Sequence, residues 1–343
     1  SRGITFSDGS TTAHPVVDLT VIGAAITDNG DGTAILTIGG TGGIAGEVPW
    51  TYARADCGLI GDGVTDDTVA LQACITDATL SGTQSARIWF EPGIYIIGGA
   101  LQDTGARNGQ IVLPYVVSPE QIITLTFEGP ARPTWDGFPE GEAGQAVLKS
   151  TLTGGTGTAA VISGGNVTNR ISVVVRNLRC TAPANPSLTF WNLAHVQDPL
   201  TDGLLIASAN VATEPTNTNA YGIKFPVKDI GSFAVIDVFV LGYYTGVQMS
   251  ELTGGIIRAW RCKVGLELGV TSHTNYRVYL EVLQCTVGVK PTGTSYLDLF
   301  ADFEHGIGSP AWADRTYDLD DASNYYRGTF RWFGTLTGTG PDH

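Results

Sequence analysis

A glycine followed by an apolar residue returns at a slow, nearly regular interval through the second half of the chain. These glycines stand at positions 222, 246, 265, 288 and 306, with steps of 24, 19, 23 and 18 residues. Short apolar runs precede the last four of them, at residues 238–241, 256–260, 278–283 and 297–301. Repeats of about 20 residues are typical of a solenoid, because one such unit cannot bury its own apolar face.

The runs are strand-like, so the repeat predicts an all-β fold, a parallel β-helix with one rung per repeat. Branched and aromatic residues dominate the runs, and Gly, Asn and Thr are common between them, as strands and turns respectively require. The composition agrees with this prediction: 45 of 343 residues are Gly, 43% are apolar and only 15% are charged. These values exclude a disordered chain and a coiled coil.

Aligning the repeats predicts which residues share a column of the β-helix. The residues directly after the glycines are expected to point inward: Ile223, Val247, Leu266, Val289 and Ile307. The residues three positions before the last four glycines are expected to stack in the interior: Tyr243, Cys262, Cys285 and Phe303. We expect both cysteines of this column to stay free thiols, and the glycines to form corners with positive φ.

The charge and the cysteines exclude several classes of partner. The net charge is −14, from 33 acidic and 19 basic residues, and binding of nucleic acid or anionic lipid needs a basic face. We find no apolar run of the roughly 18 residues of a membrane span, and no signal-peptide layout at the start. The five cysteines form no C-x-x-C pair, so we expect buried thiols in a reducing cytosol. The sequence thus predicts no nucleic acid, no membrane insertion, no metal and no cofactor.

Residues 1–50 form a segment of their own. Strand-like runs at 16–22 and 34–38 flank Asn-Gly and Asp-Gly pairs within 28–33, which predicts a β-hairpin, because these pairs adopt positive φ at low cost. The two Asp residues of the turn lack the spacing of a calcium loop, so we expect a turn there. A Gly-rich linker follows at 38–44.

Residues 51–101 contain a turn, a helix and the first strands of the β-helix. The turn carries a motif of small and acidic residues: Gly61, Asp62, Gly63, Thr65, Asp66 and Asp67. We expect Thr65 to be the helix N-cap, and the charges of Asp66 and Asp67 to interact favourably with the helix dipole. The motif is therefore predicted to be structural. Val64, Leu71 and Ile75 supply an apolar helix face. Strands are predicted at 87–90 and 94–97, around a Pro-Gly turn.

The stretch 55–97, with its order of turn, capped helix, strand, Pro-Gly turn and strand, resembles the N-terminal signature of the pectate-lyase-like superfamily found in phage tailspikes. The resemblance implies a right-handed parallel β-helix whose N-terminal end is covered by the helix, and an assembly of three identical chains. The hairpin of residues 1–50 resembles the small β modules that attach phage fibres and spikes to a virion. The predicted division is 1–50 attachment module, 51–101 capping helix and first strands, 102–310 β-helix, and 311–343 aromatic-rich cap and tail.

Motifs of catalytic β-helices are absent. We find no Gly-His-Gly and no Arg-x-Lys motif of the polygalacturonase type, and no aligned set of acidic and basic residues as in pectate lyases. Tailspike depolymerases use acid pairs on neighbouring rungs, and glycosidases need two carboxyl groups roughly 5–9.5 Å apart. Glu281, Asp302 and Glu304 are the best candidates for such a pair. The repeat alignment places them at similar height but in different columns.

Aromatic residues supply the candidates for sugar binding, since flat rings stack on sugar rings. We single out Trp260, Tyr276 and Trp312, and consider Trp191, Tyr243 and Tyr244 available as well. The resemblance implies a virion protein of the tailspike or tail-fibre type, assembled in the host cytoplasm. It would attach to tail or baseplate proteins through residues 1–50 and recognise host surface polysaccharide. A depolymerase of the tailspike type and a cellular β-helix polysaccharide lyase are the alternatives.

Overall fold

The computed structural model describes residues 24–28, 34–38, 48–82, 84–103, 108–114, 123–134, 144–153, 159–165, 171–209, 212–225, 235–249, 254–268, 277–291, 296–305 and 325–334. The chain divides into two compact units, Ser1–Pro49 and Trp50–His343.

The described residues form one helix, α1 (Thr68–Ala78), and 25 strands. The strands are β1 (Ala24–Asp28), β2 (Ala34–Ile38), β3 (Trp50–Tyr52), β4 (Asp62–Asp66), β5 (Ala86–Trp89), β6 (Gly93–Ile97), β7 (Gln102–Asp103), β8 (Asn108–Val112), β9 (Ile123–Glu128), β10 (Ala146–Ser150), β11 (Ala160–Gly165), β12 (Ile171–Arg176), β13 (Arg179–Ala182), β14 (Thr189–His195), β15 (Gln197–Asp202), β16 (Leu204–Ser208), β17 (Tyr221–Lys224), β18 (Val235–Leu241), β19 (Thr245–Met249), β20 (Gly254–Trp260), β21 (Val264–Leu268), β22 (Arg277–Leu283), β23 (Val287–Pro291), β24 (Tyr296–His305) and β25 (Tyr325–Gly334).

The first unit contains the predicted hairpin. Strands β1 and β2 pair antiparallel, with Ala24 opposite Ile38 and Asp28 opposite Ala34. The second strand lies where the sequence places it, whereas the first is Ala24–Asp28. The predicted run at 16–22 and the Gly-rich linker at 39–44 lie outside the described residues.

The second unit is a right-handed parallel β-helix, as predicted. A large sheet of 15 strands contains only parallel pairings, and a small sheet of eight strands is parallel except for β7 and β8. In the early rungs one face of the large sheet runs through β5, β9, β12 and β15, and another through β6, β10, β13 and β16. The long strand β18 pairs with both β15 and β16 and so joins the two faces. Strand β25 continues the large sheet beside β24.

The repeat columns read from the sequence are present in the small sheet. Ile223, Val247, Leu266 and Val289 pair in register on successive strands, and each is at most 1% exposed. Ile307 lies outside the described residues. The sequence repeat therefore corresponds to one inward-facing position on each rung, and these positions form the core of the solenoid.

The repeated glycines at 222, 246 and 265 are needed for space and not for positive φ, so the prediction of positive φ is wrong for these three. A Cβ atom on Gly222 would lie 2.3 Å from Val240 Cγ1, and one on Gly246 would lie 2.7 Å from the carbonyl oxygen of Gly265. Positive φ falls instead at the bend that follows the long strands, at Gly242 (+71°), Arg261 (+49°) and Gln284 (+52°).

The cysteine prediction is right for one column and wrong for another pair. Tyr243, Cys262 and Cys285 are fully buried in the core, and both cysteines are free thiols. Phe303 does not follow them, since it pairs with Val282. Cys57 and Cys74, expected as free thiols, form a disulfide between the segment before the turn and helix α1.

Stacked aromatic rings fill the early rungs. Phe127 stacks on Phe90 with ring centroids 6.2 Å apart, and meets Trp191 edge-on at 5.5 Å. Trp191 and Tyr243 are 0% exposed, so neither is available to a sugar. Burial of these rings in the core is favourable because each ring removes a large apolar area from water.

Helix α1 lies against the N-terminal rungs. Its residues Leu71, Cys74 and Ile75 are buried in the core. The Gln72 side chain acts like an additional strand, because its Nε2 donates to the Val112 carbonyl at 2.9 Å and its Oε1 accepts from the Val112 amide at 2.8 Å. The amide thereby satisfies backbone groups that an exposed strand would leave unpaired.

Candidate functional site

The acidic turn before helix α1 binds its own backbone. Asp62 Oδ1 accepts from the amides of Val64 at 2.8 Å and Thr65 at 2.7 Å. Asp67 is 1% exposed and accepts from the amides of Ile60 at 2.6 Å and Gly61 at 3.1 Å. These carboxylates complete a tight turn that places Gly61 and Gly63 at positive φ, +63° and +80°.

Thr65 is not the N-cap. The helix begins at Thr68 with Asp67 in the N-cap position, and the Asp67 side chain makes no capping bond. Thr65 belongs to β4, where its hydroxyl donates to Asp62. Val64, predicted on the apolar helix face, is 84% exposed in the same strand.

Hydrogen bonds to the turn carboxylates lower two pKa values. The amides of Thr65 and Val64 hold the pKa of Asp62 below its ordinary value. Burial raises the pKa of Asp66, but hydrogen bonds from Thr68 and Gly98 outweigh it and the net pKa is lowered. Both groups therefore stay ionised as structural acceptors.

A ladder of alternating charge lies on the large sheet at β18, β20 and β22. Arg258 Nη1 lies 3.5 Å from Asp237 Oδ1, and Arg258 Nε donates to Glu281 Oε2 at 3.0 Å. Arg132, from the segment after β9, pairs with the other side of Asp237. We call Arg132, Asp237, Arg258 and Glu281 the charge ladder.

The predicted catalytic acids share a column more closely than the sequence alignment allowed. Glu281 and Asp302 are register partners on β22 and β24, about 4.8 Å apart along the β-helix. The alignment failed because β24 runs unbroken from Tyr296 to His305, through the position where earlier rungs bend. Glu304 pairs instead with Leu283. The Glu281 carboxylate contacts Arg258. Arg258 lies on β20, and Asp302 lies on β24, on the other side of β22.

Trp260 is half-buried and held from several sides. Its ring is nearly parallel to that of Phe239, at 13° with centroids 6.4 Å apart. Its Nε1 donates to Gln284 Oε1 at 3.1 Å, and Arg261 Nε donates to the same oxygen at 2.8 Å. Arg261 Cζ lies 5.2 Å from the Trp260 ring centroid. The ring thus has a fixed orientation beside a cation and an amide.

Tyr276 and Trp312, the other predicted sugar-binding residues, lie outside the described residues. Sequence reasoning missed Arg258, Arg261 and Gln284, which the fold places beside Glu281 and Trp260. A signal was available for two of them: Arg261 and Gln284 directly precede the aligned Cys262 and Cys285, and so stand at equivalent bends.

In the described part of the chain, no group of three or more His, Cys, Asp or Glu side chains is arranged to hold a metal ion. No helix in that part is long and apolar enough to cross a membrane.

The fold and sequence define the class of protein. The profile of the family "Rhamnogalacturonase A/epimerase, pectate lyase-like" matches residues 53–290. This is more than half of the chain, so the chain belongs to this family. No match is found among curated protein sequences.

Solved structures with detectable similarity are distant. A surface adhesin of Streptococcus pneumoniae, PfbA, is 10% identical, with a TM-score of 0.37 and coverage of 84% of this chain and 82% of the adhesin. The A-module of the mannuronan C-5 epimerase AlgE6 of Azotobacter vinelandii is 15% identical, with a TM-score of 0.24 and coverage of 83% and 87%.

Proposed function

We propose that this chain is a glycan-recognising β-helix of a phage tailspike or tail fibre. The observation that carries the proposal is the fixed position of Trp260. An aromatic ring whose orientation is set by Phe239 and Gln284 loses little conformational entropy when a sugar stacks on it. Arg261 and Gln284 add polar groups of the kind that hydroxyl groups bind.

Attachment and assembly form the second part of the proposal. Residues 1–50 attach the chain to tail or baseplate proteins, and the separate compact unit Ser1–Pro49 supports this division of labour. The chain assembles in the host cytoplasm and acts on the virion as a homotrimer. The Cys57–Cys74 disulfide then closes after release from the reducing cytoplasm.

The glycan test compares the wild type with Trp260→Ala in binding to purified host capsule or lipopolysaccharide. Losing a central aromatic anchor should weaken binding roughly tenfold or more. Tyr52→Ala is the matched control, because Tyr52 is an aromatic residue that is 44% exposed at the N-terminal end of the β-helix. Equal affinity of Trp260→Ala and the wild type would contradict the assignment of the site.

The assembly test is sedimentation of the full chain. We expect a mass three times that of one chain. A monomer at working concentration would contradict the homotrimer and weaken the virion assignment with it.

A depolymerase is the second candidate, favoured by the register pairing of Glu281 with Asp302. Adjacent rungs suit the roughly 5–5.5 Å separation of a retaining glycosidase. The test measures reducing ends released from host polysaccharide by the wild type, Glu281→Gln and Asp302→Asn. If the wild type releases reducing ends and both variants do not, the depolymerase activity is established. If the wild type releases none, this activity is excluded.

A further inference from the structure

Long polar side chains form a column on the small sheet. Lys224 pairs in register with Gln248, Gln248 with Glu267, and Glu267 with Lys290, on strands β17, β19, β21 and β23. Tyr221 opens the same strand as Lys224. We call these five residues the Lys224 cluster.

Glu267 organises the cluster. It is 6% exposed, and its Oε1 accepts from Gln248 Nε2 at 2.7 Å and from the Tyr221 hydroxyl at 3.5 Å. Its Oε2 lies 3.7 Å from Lys290 Nζ. A buried carboxylate with three side-chain partners on three strands fixes where those partners lie.

Lys224 is the cation that this network leaves without a carboxylate. Its Nζ lies 3.9 Å from the centroid of the Tyr221 ring, in a cation–π contact. Among the described residues, no carboxylate forms an ion pair with it. Burial lowers the pKa of Lys224, although the charge of Glu267 partly opposes this, and burial raises the pKa of Tyr221 to about 12.

The neighbouring lysines differ from Lys224 in this respect. Lys263 Nζ lies 2.8 Å from Glu214 Oε1, and that hydrogen bond raises the pKa of Lys263. Lys290 pairs with Glu267. Lys224 and Lys290 against the single Glu267 leave the cluster with one net positive charge, on a chain whose total is −14.

We propose that the Lys224 cluster binds the carboxylate of an acidic sugar. Lys224 donates a charge-assisted hydrogen bond to the carboxylate. Gln248 donates its second amide hydrogen, since the first is held by Glu267. The sugar, as opposed to a free carboxylate, rests on the proposed glycan recognition. The chain as a whole repels anions, so a half-buried cation without a carboxylate partner, such as Lys224, provides a local site for an acidic sugar.

The experiment is saturation-transfer-difference NMR of the full chain with glucuronate, galacturonate, mannuronate and guluronate, each matched with its neutral hexose. Lys224→Met keeps the length of the stem over Tyr221 and removes the charge. Lys263→Met is the control, because it removes a neighbouring charge that is already paired with Glu214. Circular dichroism checks that each variant is folded.

We expect at least one uronate to give a signal with the wild type and with Lys263→Met, and its hexose to give none. In Lys224→Met the uronate affinity should fall about tenfold, the effect of one charge-assisted hydrogen bond. If Lys224→Met does not fold, Lys224→Gln replaces it, with the same expected loss.

Three results would overturn the proposal: no signal from any uronate, equal signals from uronate and hexose, or equal losses in both variants. A chain that binds uronates but no host polysaccharide would contradict the proposed function and leave this site standing. A chain that binds polysaccharide but no uronate would contradict this site alone.

Discussion

Buried carboxylates occur in two regions of this molecule, and their partners differ. In the turn before helix α1, Asp67 accepts from the backbone amides of Ile60 and Gly61. In the Lys224 cluster, Glu267 accepts from the side chains of Gln248 and Tyr221. Backbone amides are held by the turn and cannot turn outward, whereas side chains on a sheet surface can also reach a ligand.

The partners of these two buried acids indicate their different roles. Asp67, whose partners are backbone amides, stabilises the local fold. Glu267, whose partners are side chains on a sheet surface, sets the positions of those side chains. The charge ladder represents a third arrangement, in which Arg258 is shared between two carboxylates and no ladder cation lacks a partner.

The largest expected effect is on the turn. Asp67→Ala should lower the free energy of unfolding by about 4 kcal/mol, because two backbone donors lose their acceptor in a buried place. Urea denaturation measures it. Asp77→Ala is the control, since Asp77 is an exposed acid in helix α1, which Asp67 precedes. It should change stability by less than about 0.5 kcal/mol. Similar small changes in both variants would remove the contrast with Glu267.

The next largest effect is expected from the disulfide that joins helix α1 to the segment before the turn. Reducing Cys57–Cys74, which lie 17 residues apart, should destabilise the fold by about 3 kcal/mol through the loop-closure entropy of the unfolded chain. Thermal unfolding with and without a reductant measures this. The double variant Cys57→Ser/Cys74→Ser should not respond to the reductant, because Cys180, Cys262 and Cys285 are free. A response of the double variant would contradict the assignment.

The charge ladder should contribute much less to the free energy of unfolding. Arg258→Met removes both ion pairs of a side chain that is 34% exposed, so we expect a loss of about 1 kcal/mol that shrinks at high salt. Denaturation at low and high ionic strength measures it. A loss that is larger than that of Asp67→Ala, or independent of salt, would show that the ladder is part of the structural core.

The smallest expected effect is the pH dependence of uronate affinity. Lys224 must be protonated to bind, and its pKa lies below the ordinary 10.5 because of burial. At pH 10.5 more than half of Lys224 is therefore deprotonated, and affinity should fall more than twofold from its value at about pH 7. Lys224→Arg keeps its charge over this range, so its affinity should fall less with rising pH than that of the wild type. An unchanged wild-type affinity would contradict the role of Lys224.

The repeat was readable from the sequence because each rung must place an apolar residue at the same inward position. The column of Ile223, Val247, Leu266 and Val289 is such a position. The role of the glycines was not readable, because the sequence does not show that Val240 and the Gly265 carbonyl crowd Gly222 and Gly246.

The candidate sites were less predictable because they depend on neighbours far apart in sequence. Cys57 and Cys74 lack any short motif, so their pairing emerges only when helix α1 packs beside the turn. Glu281 and Asp302 were misaligned because β24 does not bend where β22 ends. In the small sheet, only the distances show that Glu267 lies beside Lys290 and that Lys224 contacts the Tyr221 ring in place of a carboxylate.

The most direct measurement is a crystal structure of the chain soaked with glucuronate. We expect the sugar carboxylate at roughly 2.7–2.9 Å from Lys224 Nζ, in contact with Gln248 Nε2, with Glu267 still accepting from Gln248. A carboxylate bound elsewhere, or Lys224 paired with an acid of a neighbouring chain in place of the sugar, would contradict it.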